Sequence, residues 1–158
     1  MNTDNIRNDI VVLGLGNPLM ADEGLGGFII NRLLEKKDSY PGVDFIDAGT
    51  GGMSMLHLIA ERKKVIILDC AYMNKTPGTM VKFTPQDVKT TKQLIHYSLH
   101  EIDVLRVIEF TCQLNQCPDD IVIFGIEPEK IELQNSLNPA LLDKIDEYLE
   151  IIERELRP

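Results

Sequence analysis

Short apolar runs alternate with longer stretches in which apolar residues recur at helical spacing. The short runs are typical of strands buried on both faces of a parallel sheet. They predict strands at residues 10–13, 43–46, 65–68 and 121–124. A further strand is predicted at residues 78–83, at an antiparallel edge, because it follows a Pro-Gly turn.

The longer stretches predict helices over residues 24–36, 52–61 and 100–112, and one that begins after Asn138. Asn138 is a favourable N-cap, and Pro139 occupies the first helical position. The predicted inward positions are Leu25, Phe28, Ile29, Leu33 and Leu34; Met55, Leu56 and Ile59; Ile102, Leu105, Ile108 and Cys112; and Leu142, Ile145, Leu149, Ile152 and Leu156. The alternation predicts a three-layer α/β sandwich, with a mostly parallel sheet of about five strands and helices on both faces.

The composition restricts the class of partner. A chain of 158 residues suits a single domain spanning residues 1–158. Its net charge of −9 argues against binding nucleic acid or docking on an anionic membrane. No apolar run is long enough to span a bilayer, and the N-terminus has no apolar signal region. We therefore expect a cytoplasmic protein.

The three cysteines, Cys70, Cys112 and Cys117, are odd in number and include no C-x-x-C pair. This pattern predicts reduced intracellular thiols, and neither a disulfide framework nor a zinc knuckle.

Acidic residues follow three successive predicted strands: Asp22 and Glu23 after the first, Asp47 after the second and Asp69 after the third. The carboxyl ends of parallel strands share one edge, where open α/β folds bind ligands. Carboxylates gathered there repel one another, and a cation relieves that cost. If the helix beginning at His100 starts near this edge, its imidazole completes a mixed oxygen and nitrogen ligand set suited to Ni, Zn, Fe or Mn.

Each residue also has a purely structural interpretation. Asp22 and Glu23 are favourable charges at a helix start, and Asp47 is a turn former before Gly49. A lone His100 is more often an ordinary residue at a helix N-terminus than a ligand. The glycines at positions 14 and 16 resemble a dinucleotide fingerprint, but its third glycine is replaced by Leu19.

Several ordered blocks of the sequence resemble the nickel–iron hydrogenase maturation endopeptidases. The first runs from Gly14 to Gly26 as G-L-G-N-P-L-M-A-D-E-G-L-G, like the family's Gly-x-Gly-Asn … Asp-Asp/Glu-Gly-x-Gly signature. The others are D-A-G-T-G-G from Asp47, I-I-L-D-C-A ending at Ala71, P-G-T-M from Pro77, S-L-H with D-V-L from Ser98 to Leu105, and G-I-E-P-E from Gly125. Two positions depart from the family: Ala48 replaces a usual glycine, and Cys70 a usual alanine.

The resemblance implies a five-stranded α/β endopeptidase that removes a C-terminal extension from the hydrogenase large-subunit precursor after nickel insertion. It implies that Glu23, Asp69 and His100 bind nickel supplied by the precursor, with zinc or cadmium as substitutes. We predict catalytic roles for Asp47, Glu23 and Asp69, and substrate contacts for Gly49, Thr50 and Gly51.

Two mechanisms fit these residues. In one, nickel is a recognition signal and a carboxylate such as Asp47 activates water. In the other, the metal is a Lewis acid that acidifies bound water. Paired carboxylates acting without metal remain a third option. The alternative from another class is a nickel-sensing adaptor that docks the immature subunit without cutting it.

Overall fold

The structure is a computed structural model, and it describes residues 7–87 and 99–158, with side chains from residue 103 onward in the second range. Five strands form one sheet in the order β2-β1-β3-β5-β4. All neighbouring pairs are parallel except β4 with β5. The strands are β1 (Ile10–Gly14), β2 (Val43–Asp47), β3 (Lys64–Cys70), β4 (Met80–Phe83) and β5 (Asp120–Ile126). The predicted fold class is confirmed, including the antiparallel edge strand.

Helices cover both faces of this sheet. They are α1 (Leu25–Leu34), α2 (Met55–Ile59), α3 (Leu99–Gln113), α4 (Pro139–Leu142) and α5 (Ile145–Leu156), with short 3₁₀ turns at Ala21–Gly24 and Lys37–Ser39. Alternate residues of β3 face opposite ways, as strand geometry requires. Ile66 and Leu68 pack with α1 and α5, whereas Val65 and Ile67 pack with α2 and α3. These two apolar layers bury the sheet and leave its ends as the places for polar chemistry.

Three of the predicted helices have different boundaries or faces. In α1, Ile30 is buried, and the predicted inward residues Phe28 and Leu34 are each 39% exposed. Helix α2 begins only at Met55, because Gly51 and Gly52 have positive φ angles of 76° and 80°, outside the helical region.

The predicted last helix is two helices. Lys144, with φ −103° and ψ 3°, interrupts it before α5 begins at Ile145. The interruption leaves Leu142 at 41% exposure, while Leu141 is fully buried. Asn138 occupies the N-cap position, but its side chain makes no cap hydrogen bond there. It donates to Asp22.

The expectation that all three cysteines are reduced is wrong. Cys112 and Cys117 form a disulfide with an S–S distance of 2.01 Å, and Cys70 is a buried free thiol. Asn115 adopts a left-handed conformation with φ 57°, and the Gln116 N–H donates to the Thr111 carbonyl at 3.0 Å. The chain therefore turns back at the end of α3 and brings Cys117 against Cys112, which the odd cysteine count could not indicate.

No helix within residues 7–87 and 99–158 is long and apolar enough to cross a membrane.

Candidate functional site at the carboxyl edge of the sheet

Four parallel strands end at one edge of the sheet, and the site residues follow them. The register places Asp47 of β2 and Leu68 of β3 level with Gly14, the last residue of β1. Asp69 lies one residue further along β3. Asp47 and Asp69, which were predicted to come together from separate chain segments, therefore both lie at this edge of the sheet.

Glycines allow the segment after β1 to fold closely onto this edge. Gly16 has φ +131°, and a Cβ there would lie 1.7 Å from the carbonyl oxygen of Glu23. A Cβ on Gly14 would lie 2.4 Å from the Gly26 carbonyl oxygen. A larger residue at Gly16 would displace the turn Ala21–Gly24, and one at Gly14 would displace the start of α1. The Gly-x-Gly pattern thus serves the close approach of the Glu23 backbone and not a phosphate cradle.

Asp22 is fully buried and fixes this turn to the loop after β5. Its Oδ2 accepts hydrogen bonds from the Glu129 N–H at 2.9 Å and the Lys130 N–H at 3.0 Å. The backbone N–H of Asn138 donates to Asp22 Oδ1, and the side-chain amide of Asn138 donates to Oδ2, both at 2.8 Å. Burial alone would raise the pKa of Asp22, but the hydrogen bonds from Asn138, Lys130 and Glu129 outweigh it, so the pKa is lowered. Asp22 is therefore a structural carboxylate, a role that its place beside Glu23 did not reveal.

Asp69 is a buried carboxylate, 3% exposed, close to the end of β3. Because side chains alternate along a strand, it shares the face of Ile67, which is covered by α2 and α3. His100 lies in the first turn of α3, on that same side of the sheet. The His100 side chain, and the whole of Ser98, lie outside the described residues, so the predicted contact of this imidazole with Asp69 stays a prediction.

The neighbouring thiol of Cys70 lies in a region that contains several carboxylates. Its Sγ donates to the Asp22 carbonyl oxygen at 2.9 Å. Burial raises the pKa of Cys70 well above its usual range, and the negative charges of Asp69, Asp22, Glu23 and Glu127 raise it further. The structure thus brings the predicted pair Glu23 and Asp69 into one negatively charged neighbourhood and keeps Cys70 a neutral thiol.

Glu127 is a fourth carboxylate near Cys70, with Asp69, Asp22 and Glu23. It was not selected from the sequence as a site residue. It follows β5, is 5% exposed, and accepts a hydrogen bond from the Met73 N–H. This bond ties the end of β5 to the segment after β3. The signal that could have found Glu127 is its place directly after a buried strand, the same position that drew attention to Asp69.

Asp47 lies on the other face of the sheet. It shares the face of Phe45, which packs against α1. A Cβ on Gly27 of α1 would lie 2.7 Å from its Oδ2. Strand β1 separates β2 from β3, so the ends of these strands are about 10 Å apart. Asp47 is therefore near Glu23 and Asp69 without belonging to the same cluster.

Asp47 lines a groove of about 450 Å³, here called the α1 groove. One side is formed by Gly27, Phe28 and Asn31 of α1, and the other by loop residues 135–137. Gly16 and Gly24, which flank the Glu23 turn, also line it. The groove therefore runs beside the turn that carries Glu23.

The loop predicted to contact substrate lies beside the end of β1. The Gly16 N–H donates to the Gly49 carbonyl at 2.7 Å, and the Gly49 N–H donates to Asp47 Oδ1 at 3.0 Å. Thr50 is exposed, and Gly49 and Gly51 have positive φ angles of 57° and 76°. Ala48 has no positive φ angle, so the replacement of the usual glycine is accommodated there. The loop is placed to contact a ligand, and its predicted role in substrate binding stays a prediction.

No group of three or more metal-ligating side chains occurs among the residues whose side chains are described. Since His100 falls outside them, the predicted ligand set is not tested by the structure.

Comparison with known proteins identifies the family. The sequence model of the HycI hydrogenase maturation protease family matches residues 29–155. The chain belongs to this family. The maturation protease is 32% identical over 151 residues to the hydrogenase 2 maturation protease of Escherichia coli K12, a match covering 94% of the chain and 90% of that relative. It is 33% identical over 149 residues to the hydrogenase expression/formation protein HupD of Rhodobacter capsulatus, covering 94% of the chain and 71% of HupD.

Solved structures agree with this assignment. The hydrogenase-maturating endopeptidase HybD of E. coli superimposes with a TM-score of 0.81 at 28% identity, covering 94% of this maturation protease and 91% of HybD. The five-stranded sheet and its helices are thus those of known maturation proteases, and the chain is a protease of that kind.

Proposed function

We propose that this maturation protease is the endopeptidase that removes the C-terminal extension from the large-subunit precursor of a nickel–iron hydrogenase. The observation that carries the proposal is the buried carboxylate of Asp69, which shares a negatively charged strand-end neighbourhood with Glu23. A protease of this family that carries such a neighbourhood is suited to a precursor that arrives with a metal cation.

Nickel enters this reaction as part of the substrate, held by cysteines of the precursor. Glu23, Asp69 and His100 would complete its coordination, and carboxylate oxygens with one imidazole nitrogen form a donor set that suits a transition metal. The fit is supported by Cys70, whose pKa is raised by burial and by the carboxylates around it. A cation there relieves the mutual repulsion of those carboxylates. Zinc or cadmium in the precursor would satisfy the same donors.

Recognition of nickel makes cleavage conditional. A precursor that lacks the ion brings no positive charge to the negatively charged edge, so its docking is weak and its peptide is not positioned for attack. Nickel held by Glu23, Asp69 and His100 would supply positive charge at this edge of the sheet. Cleavage therefore checks the precursor, because the extension is removed only after nickel has been inserted.

Hydrolysis requires a base that activates water, and Asp47 is our candidate. Its carboxylate is exposed, oriented by the Gly49 N–H, and faces the α1 groove. A peptide that lies in the groove and reaches Glu23 passes next to Asp47. Gly49, Thr50 and Gly51 follow Asp47 directly and offer backbone groups to such a peptide. Catalysis in the cytoplasm, where precursors are made, is part of this proposal.

The test compares nickel-loaded and nickel-free precursor after incubation with the purified protease, by intact mass. We expect the loaded precursor to lose a short C-terminal peptide and the nickel-free precursor to stay unchanged. A stable complex of unchanged mass would favour a nickel-sensing adaptor over an enzyme. Equal cleavage of both precursors would refute nickel as the recognition signal.

A further inference from the structure

Two exposed leucines lie together beside the proposed site. Leu133 is 84% exposed, more than any other large hydrophobic residue whose side chain is described, and Leu19 is 56% exposed. An exposed leucine by itself is common on protein surfaces. A pair brought together from distant parts of the chain, next to a proposed active site, is a more specific feature.

Backbone hydrogen bonds bring the chain segments that carry the two leucines together. Met20 and Gln134 form a parallel bridge. The Gln134 N–H donates to the Leu19 carbonyl at 3.0 Å, and the Ala21 N–H donates to the Gln134 carbonyl at 2.7 Å. Leu19 and Leu133 each precede a bridge residue, so the parallel register aligns them. We call this pair the leucine ridge.

The backbone that carries the leucine ridge is held in place by hydrogen bonds. Asp22 follows the Leu19 segment directly, and its buried carboxylate holds the backbone of Glu129, Lys130 and Asn138, on both sides of Leu133. Apolar side chains on a preordered backbone lose little conformational entropy when they bind, which favours their use in recognition. Leu19 is also only four residues from the proposed nickel ligand Glu23 along the chain.

Size and charge indicate the occupant. Two leucine side chains supply a small part of the roughly 800 Å² that each partner buries in a specific interface, so the ridge alone does not make a stable dimer of this chain. Glu129 and Glu132 are exposed beside it, and Lys130 is paired with Glu132 at 3.6 Å. The ridge therefore fits a larger, transient contact with an apolar patch that has basic surroundings.

We propose that the leucine ridge is a docking surface for the folded body of the large-subunit precursor, which presents an apolar patch bordered by basic side chains. The inference rests on the proposed function and adds a second contact to it, separate from the nickel and from the peptide that is cut. Docking through the ridge lowers the KM of the precursor without contributing to the chemical step.

The experiment uses purified nickel-loaded precursor and the variants Leu19→Ser, Leu133→Ser and the double variant. We expect the double variant to raise KM and the directly measured Kd at least about tenfold with kcat unchanged, because central apolar anchors carry most of an interface's binding energy. Leu114→Ser is the matched control, since Leu114 is 57% exposed just beyond the end of α3. It should leave both constants at wild-type values.

Measuring binding and cleavage separately distinguishes failure of the ridge from failure of the proposed function. A wild-type protein that binds the precursor through the leucines but does not cut it supports the ridge and refutes the protease proposal. A double variant that binds and cleaves like the wild type overturns the ridge and leaves the protease proposal intact. Loss of a concentration-dependent dimer in the double variant, with precursor affinity unchanged, would assign the ridge to self-association and would also overturn the proposal.

Discussion

The thiol of Cys70 donates a hydrogen bond to the backbone carbonyl of Asp22 across 2.9 Å. This contact joins the end of β3, which carries Asp69, to the turn that carries Glu23. Glu23 and Asp69, two of the three proposed nickel ligands, come from distant positions in the chain, and each is next to one partner of this bond. The spacing of the proposed ligands therefore depends on a bond made by their neighbours.

Cys70→Ala should keep processing activity. The thiol has no role in the chemistry, because burial and the surrounding carboxylates raise its pKa and keep it neutral. Loss of its hydrogen bond should cost about 1 kcal/mol of unfolding free energy. Denaturant titration and the rate of precursor cleavage check both values. A fall in kcat of a hundredfold or more in a folded Cys70→Ala protein would mean that the thiol takes part in catalysis.

Glu23→Gln, Asp69→Asn and His100→Gln should each abolish cleavage of nickel-loaded precursor. Each change removes a proposed ligand, and no apolar core contact is lost. Intact mass of the precursor measures activity, and the melting temperature shows whether the fold survives. Full cleavage by the Asp69→Asn protein would contradict the assignment of this carboxylate.

The sequence predicted the sheet well because its strands are apolar runs that only a covered sheet can bury. It also selected Asp69, since a carboxylate so close to the end of a buried strand is unusual. The residue pattern, without the family resemblance that selected Glu23, could not separate Asp22 from Glu23. Adjacent acids look alike until the backbone donors of Glu129 and Asn138 are brought in from more than a hundred residues away.

The sequence also did not show which face of the sheet each carboxylate occupies. Asp47 and Asp69 both come at strand ends, but strand parity puts Asp47 on the α1 face and Asp69 on the α3 face. The face that a strand residue occupies depends on which residues of that strand pack against which helix, and tertiary packing decides this. The division of the last helix had the same origin, since Leu141 and not Leu142 enters the core.

Asp22→Asn should destabilise the protein by about 1–3 kcal/mol, because an amide cannot accept all the hydrogen bonds that the carboxylate accepts. The amide oxygen can replace only one of the two carboxylate oxygens, so at least one of the Glu129, Lys130 and Asn138 backbone amides loses its acceptor. Hydrogen exchange at that amide should accelerate relative to the amides of β3. Denaturant titration and exchange measured by NMR check these two effects. Asp143→Asn, at an exposed carboxylate, is the control and should change neither. Unchanged exchange at all three of Glu129, Lys130 and Asn138 in Asp22→Asn would show that the Asp22 carboxylate does not hold this loop.

Glu155 should make stability depend on pH in the acidic range. Burial raises its pKa, but hydrogen bonds from Lys64 and Lys82, both 2.7 Å long, outweigh this and lower the pKa below its ordinary value of 4.5. The stabilisation is therefore complete above pH 4.5 and is lost as pH falls through the lowered pKa. Glu155→Gln should cost on the order of 1 kcal/mol at pH 7, and the difference from the wild type should shrink below that range.

Urea titrations at several pH values measure this difference. Glu150→Gln is the control for the Glu155 variant, because the Glu150–Arg154 pair is more than 60% exposed on both sides and should contribute little. A Glu155→Gln deficit that stays constant from pH 7 to pH 3 would refute the linkage.

The Gly27→Ala variant tests whether Asp47 is the catalytic base without changing the Asp47 side chain itself. A methyl group at this position of α1 would lie 2.7 Å from Asp47 Oδ2, so the carboxylate must move away from the groove wall. Alanine is also a better helix former than glycine by up to about 1 kcal/mol, so the melting temperature should hold or rise. If Asp47 activates the attacking water, kcat should fall at least about tenfold, because proton transfer depends on placement within a fraction of an ångström. Gly42→Ala is the matched control, since a Cβ there meets no atom within 4 Å. Wild-type kcat in both Gly27→Ala and Asp47→Asn would exclude Asp47 as the base and leave that role to a carboxylate on the α3 face.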